Sequence, residues 1–252
     1  MNERSDSGRT NNSIGLQNPR TFALPMALIF FVVAVPMRLS ASDFPRHKVE
    51  CEGRKMEYLS FVPSSPASQP LPVLLLLHGA GDEAINFIRP WESTAREKKI
   101  VLIVPQLPRE LSFEPIAPKV FRCLIEDAKK LATLDPRRIY IFGNSMGGYL
   151  AYDGALLESN YFAAAAIHAM GIDDDYAGIV QKATRKIPIA IFMGDRDQLV
   201  SLAQVRKTRT LLEKSGFPIH YREIPNHGHN YYELSDSINS EAWEFLASYR
   251  LP

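Results

Sequence analysis

The chain has 252 residues, with 29 Lys and Arg against 28 Asp and Glu for a formal net charge of +1, and 46% of its residues are hydrophobic. A near-neutral chain lacks the cationic excess needed to hold nucleic acid mainly through phosphates, and this apolar content is far from that of disordered chains. Two cysteines cannot build a disulfide scaffold or a four-thiolate zinc site.

Residues 1–20 are polar, with Arg4, Arg9 and Arg20 outnumbering Glu3 and Asp6, and an apolar run follows from Phe22 to Val35. That run of about 14 residues is shorter than the ~20 a helix needs to cross a bilayer. Small residues follow at Ser40, Ala41 and Ser42. A positive start, a short apolar stretch and a small-residue site read as a secretory signal peptide over residues 1–42, cleaved after Ala41 or Ser42. The remaining residues 43–252 form one domain. The expected location is outside the cytosol, periplasmic or extracellular; an uncleaved leader serving as a membrane anchor is the alternative. Cys51 and Cys123 could pair in an exported protein, but their spacing leaves this open.

From Cys51 onward, RKMEYLSF alternates polar and apolar residues behind a Glu52-Gly53 turn, which predicts an antiparallel hairpin at a sheet edge. Unbroken apolar runs then recur at 73–77, 100–104, 139–142, 164–167 and 187–192, as in strands buried on both faces of a parallel sheet. Helical spacing separates them. Val120, Leu124, Ile125, Ala128 and Leu131 share a face before Asp135-Pro136, a weaker stripe spans Leu202 to Leu212, and a last one runs from Ile238 to Tyr249. The alternation predicts an α/β fold with a mostly parallel central sheet and helices on both faces.

One strand leads directly into Gly143-Asn144-Ser145-Met146-Gly147-Gly148, with a helix-compatible run after it. G-x-S-x-G between strand and helix is a tight turn that thrusts a serine hydroxyl out at the carboxyl edge of a sheet. Gly143 and Gly147 leave room for that turn, and the Met146 N–H at the helix start faces a developing oxyanion. Such a serine needs a base, and the base an orienting acid, in the order Ser, acid, His. The strand at 187–193 ends in Gly194-Asp195-Arg196-Asp197. Asp197 is the better placed of the two acids, having left the strand, while Asp195 suits a turn-capping role. The strand at 219–224 ends in Pro225-Asn226-His227-Gly228-His229. His229, after a glycine, is favoured as the base, with His227 supporting it or merely exposed. His168 reads as a satisfied histidine of the core or site rim.

At the first parallel strand's end stand His78, Gly79, Ala80 and Gly81. A small-residue loop there exposes a second oxyanion donor, the Ala80 N–H, with His78 bracing the loop. Neither G-x-G-x-x-G nor G-K-[ST] occurs, so dinucleotide and P-loop readings fail.

With HGAG, GNSMGG, GDRD and HGH in this order, the chain resembles the α/β-hydrolase superfamily. VLLLLHGAGD, LDPRRIYIFGNSMGGYLAY and IPIAIFMGDRDQLVSL look like secreted esterases grouped with polyhydroxybutyrate depolymerases and feruloyl or acetylxylan esterases; dienelactone-hydrolase-like and prolyl-oligopeptidase-like enzymes are similar too. The resemblance spans Arg54 to Tyr249. It implies a Ser145–Asp197–His229 triad with no cofactor and no metal, and Gly194, Asp197 and Val200 match the family's G-x-x-D-x-x-V pattern around the acid. Where the polymer-active esterases carry an aromatic, glycine-rich stretch, this chain has PQLPRELSFEPIAPK, so a polymeric substrate is not implied. The expectation is a serine ester hydrolase with little or no lid, acting through an acyl-enzyme on short or accessible small-molecule esters and binding no nucleic acid. An acyltransferase or small serine peptidase would use the same machinery, and a catalytically silent binding protein is the reading of another class. Oligomeric state is left open.

Overall fold

A computed structural model describes residues 44–66, 68–108 and 118–252; the leader expected over residues 1–42 lies outside them. The hairpin is there: β1 (Arg46–Cys51) and β2 (Arg54–Phe61) pair antiparallel, Cys51 opposite Arg54. Glu52 and Gly53 between them take φ of 51° and 74°, the paired left-handed geometry that suits the twist of a two-residue hairpin.

Six further strands follow: β3 (Leu71–Leu77), β4 (Val101–Pro105), β5 (Leu134–Asn144), β6 (Ala164–His168), β7 (Ile189–Gly194) and β8 (Ile219–Ile224). The sheet order is β1-β2-β4-β3-β5-β6-β7-β8. From β4 to β8 every pairing is parallel, while β2 runs antiparallel to both β1 and β4. This is the α/β-hydrolase arrangement that the sequence predicts.

Successive residues of a strand point to opposite faces, and here both faces are covered. Odd-numbered residues such as Val73, Leu75, Ile141, Ile167 and Ile191 pack with α3 (Lys119–Ala128), α4 (Met146–Leu157), α5 (Ala177–Lys182) and α6 (Leu202–Lys214). Even-numbered residues such as Leu74, Leu102, Phe142, Ala166 and Phe192 pack with α1 (Ala84–Ile88), α2 (Glu92–Lys98) and α7 (Ser235–Ala247).

Two boundaries differ from expectation. The helix α3 ends at Ala128, before Leu131, and β5 begins at Leu134 instead of near Ile139. Asp135 explains the extended start, since its carboxylate accepts from the Arg137 N–H at 2.9 Å and from Arg138 Nε at 2.6 Å, and Pro136 sits where the register to β3 is irregular. The short helices α1, α2 and α5 carry no side-chain N-cap bond, and without that local signal sequence periodicity passes over them.

Cys51 and Cys123 do pair, with a Cα–Cα distance of 5.8 Å, tying the end of β1 to α3 across a sequence separation of 72. Closing a loop of that length restricts the unfolded chain and contributes about 2–4 kcal/mol. The double variant Cys51→Ala/Cys123→Ala is therefore expected to lose stability of that order in urea unfolding; an unchanged midpoint would show the hairpin to be held without the disulfide.

Candidate active site

The carboxyl ends of the parallel strands converge on Ser145. This residue stands between β5 and α4 with φ 53° and ψ −121°, a conformation costly for any residue bearing a Cβ. The surroundings hold it there. A Cβ on Gly143 would lie 2.0 Å from Gly147 O, and one on Gly147 would lie 2.0 Å from Leu77 O. The Ser145 N–H donates to His168 O at 2.9 Å, and Tyr149 N–H donates to Ser145 O at 3.1 Å, starting α4. Ser145 and Met146 are both half-buried, so the hydroxyl stays reachable.

His229 approaches from the loop after β8, its Nε2 2.9 Å from Ser145 Oγ and its Nδ1 2.7 Å from Asp197 Oδ2. The other carboxylate oxygen, Asp197 Oδ1, accepts from Leu199 N–H at 2.8 Å and Val200 N–H at 2.9 Å. The Asp197 side chain is fully buried while that of His229 is 21% exposed. One oxygen is thus fixed by the acid's own loop and the other aimed at the imidazole. The carboxylate requires the proton on Nδ1, leaving the Nε2 lone pair toward the serine hydroxyl.

Asp195 is not part of this group. Its carboxylate accepts from Asn226 N–H at 2.7 Å, while its own N–H donates to Ile224 O and Arg196 N–H donates to His227 O. These bonds zip the acid loop to the histidine loop, and the slot where Gly194 would carry a Cβ is filled by His227 O at 2.3 Å. The separation between Asp197 and His229 is set by this zipper.

Gly79 lies beside the serine, its missing Cβ 3.5 Å from Ser145 Cβ. Ala80 is exposed at the turn and Gly81 continues it at φ 75°. His78 is buried. Its Nδ1–H donates to Gly79 O at 2.8 Å and its Nε2 accepts from Leu107 N–H at 3.0 Å, so one imidazole joins this loop to the segment after β4. Residues 109–117 of that segment lie outside the described residues.

The chain matches the dienelactone hydrolase family over residues 110–247, more than half of its length. It belongs to that family. The match takes in the serine, the acid and the histidine but not the His78–Gly81 loop. Among solved structures the same fold occurs in a thermostable esterase (23% identical, TM-score 0.67, covering 82% of this chain and 63% of that one). It also occurs in an S-formylglutathione hydrolase from Agrobacterium tumefaciens (19%, 0.65, 84% and 98%) and a Mycobacterium tuberculosis puromycin-hydrolyzing peptidase (14%, 0.67, 81% and 39%). This chain thus spans less than two thirds of the thermostable esterase and of the peptidase. Such identities establish a shared fold. No curated protein matches the chain.

Two contacts of this chain lie beyond what its sequence alone shows. Tyr232 donates its hydroxyl to Asp82 Oδ2, joining the loop after His229 to the loop after Ala80 over 150 residues of sequence. His227, for which an exposed position was one expectation, is 2% exposed and meets the buried His168. The adjacency of two histidines in HGH marked the loop, but only the fold turns one toward the serine and the other toward the core.

Burial pushes the His168 imidazole down to about 3, helped by repulsion from His227 and His229. In the unfolded chain it titrates near 6.5. Between those values the unfolded chain holds a proton that the native chain refuses, so lowering the pH favours unfolding. The stabilising contribution is complete above pH ~6.5 and is lost toward pH ~3, at up to about 1.4 kcal/mol per pH unit. Urea unfolding between pH 7 and 4 should fall more steeply for wild type than for His168→Gln; parallel curves would contradict the assignment.

Proposed function

We propose that this hydrolase is a serine carboxylesterase with Ser145 as nucleophile, His229 as general base and Asp197 as its orienting acid. The observation that carries the reading is the unbroken run of hydrogen bonds from Ser145 Oγ through the His229 ring to Asp197. Among the described residues, it ends in a carboxylate with no other side-chain partner. A neutral serine hydroxyl is a weak nucleophile, and a base at 2.9 Å removes that obstacle as the bond to carbon forms.

In the reaction proposed, Ser145 Oγ attacks the ester carbonyl carbon and its proton passes to His229 Nε2. The carbonyl π electrons move onto oxygen, where the Met146 and Ala80 N–H groups receive the charge. Met146 opens α4, so its N–H has no partner within the helix and carries the positive end of the helix dipole. Collapse of this intermediate breaks the carbon–oxygen bond to the alcohol, which leaves with the proton from His229. Water then gives a proton to His229 as it attacks the acyl carbon, and collapse breaks the carbon–Oγ bond, the His229 proton returning to Ser145 Oγ as the acid leaves. Asp197 stabilises the imidazolium formed in each half.

The substrates proposed are short or sterically accessible small-molecule esters. We further propose that the enzyme is exported. The Cys51–Cys123 disulfide supports this, since cytosolic thiols are kept reduced.

Turnover of p-nitrophenyl acetate and butyrate tests the reading. Ser145→Ala is expected to lose about 10⁴-fold or more in kcat, and Asp197→Asn a comparable factor by presenting the wrong tautomer. Asp195→Asn, which loosens a loop bond only, should stay within about ten-fold of wild type. Activity that survives Ser145→Ala would remove the nucleophile, and a wild type inert to both esters and to a fluorophosphonate would favour a silent scaffold.

A further inference from the structure

A second polar chain runs behind Ser145, away from the substrate side. Asn144, the residue before the serine, presents Oδ1 to His168 Nδ1 at 2.7 Å, and His168 Nε2 stands 3.3 Å from His227 Nε2. The three residues lie on three different segments: the ends of β5 and β6 and the loop after β8. All are buried, at 8%, 0% and 2% exposure. Polar groups so placed are costly unless paired.

With the Asn144 amide oxygen toward His168, their pairing admits one distribution of protons. Asn144 Oδ1 is an acceptor, so His168 carries its proton on Nδ1 and presents a lone pair at Nε2. His227 must then donate from Nε2. One proton therefore lies between the two imidazoles. A second would set two donors against each other, and the burial that keeps His168 neutral prevents it.

The groups facing this chain are few. Glu233 Oε2 is 3.8 Å from His227 Nδ1, Asp197 and His229 act on His227 through space, and the Tyr231 ring stands 5.8 Å from that of His168. A proton taken up at His227 Nδ1 would face Glu233 and leave the Nε2 donor in place. The backbone repeats the connection: Ser145 N–H donates to His168 O, and Arg196 N–H donates to His227 O, both at 2.9 Å. Nucleophile turn, acid loop and histidine loop all meet at these two residues.

We propose that His227 and His168 are positioning residues, a two-imidazole strut sharing one proton that holds the 227–229 loop against the serine turn through Asn144. The strut sets the distance between His229 Nε2 and Ser145 Oγ without touching substrate. The inference rests on the esterase reading for its catalytic consequence, but the strut itself is visible without turnover.

Two variants and one spectrum test it. His227→Phe fills the space without a donor and should lower kcat on p-nitrophenyl acetate about ten-fold or more, with KM changed by no more than about two-fold. His227→Gln keeps an N–H near the Nε2 position and should recover most of that loss. In the wild-type enzyme, ¹⁵N NMR of labelled histidines should find His168 protonated on Nδ1 and His227 on Nε2, unchanged from pH 6 to 8. An undiminished kcat in His227→Phe, a glutamine variant as slow as the phenylalanine one, or His168 protonated on Nε2 would each overturn the strut. Should His227→Phe not fold, the tautomers decide. A wild type inert to esters and fluorophosphonate overturns the esterase reading, and the catalytic role of the strut falls with it; in an active enzyme, the wrong tautomers overturn the strut alone.

Discussion

Where β5 turns into α4, the main chain passes the end of β3 so closely that a Cβ on Gly147 would sit 2.0 Å from Leu77 O and 2.7 Å from His78 O. Backbone against backbone has no flexible end that can give way, and a β-carbon at such distances cannot be accommodated. Gly143 meets Gly147 O in the same manner, and Gly148 keeps α4 close to Ile167 and Met170. This crossing puts Ser145 at φ 53° and lifts its hydroxyl clear of the sheet. It also brings Gly79 alongside Ser145, so the serine turn and the His78–Gly81 loop are aligned by one constraint.

The other half of the site depends on two loops that hold each other. Asp195, Arg196 and Gly194 fasten the end of β7 to Ile224, Asn226 and His227. Asp197 gains a fixed orientation from the Leu199 and Val200 amides, and His229 gains one from Asp197. Rigid strands carry the loops, and hydrogen bonds between the loops remove the freedom that remains, as a preorganised site requires. The polar chain Asn144–His168–His227 joins this half to the serine turn inside the protein, and the Tyr232–Asp82 contact joins it to the β3 loop at the surface.

The strands were legible because a run buried on both faces has no polar alternation, as Val73–Leu77 and Ala164–Ile167 illustrate. Ser145, Asp197 and His229 were legible because each follows a strand end in a short glycine-marked turn, a local signal. What the sequence leaves open or does not show depends on distance along the chain. The disulfide spans 72 residues, the His168–His227 pair 59 and the Tyr232–Asp82 bond 150, and no local pattern encodes which distant segments meet. The start of β5 was missed because Asp135-Pro136 reads as a helix stop, whereas the carboxylate's bonds to Arg137 and Arg138 let it open a strand. Helices α1 and α2, short and without side-chain caps, offered too little periodicity to find.

Mapping the adduct left by a fluorophosphonate most directly tests whether the strained turn makes Ser145 the reactive group. One phosphonyl group per chain is expected, on the peptide carrying Ser145, with labelling strongly slowed in His229→Gln. An adduct on another residue, or equal labelling with and without His229, would contradict it.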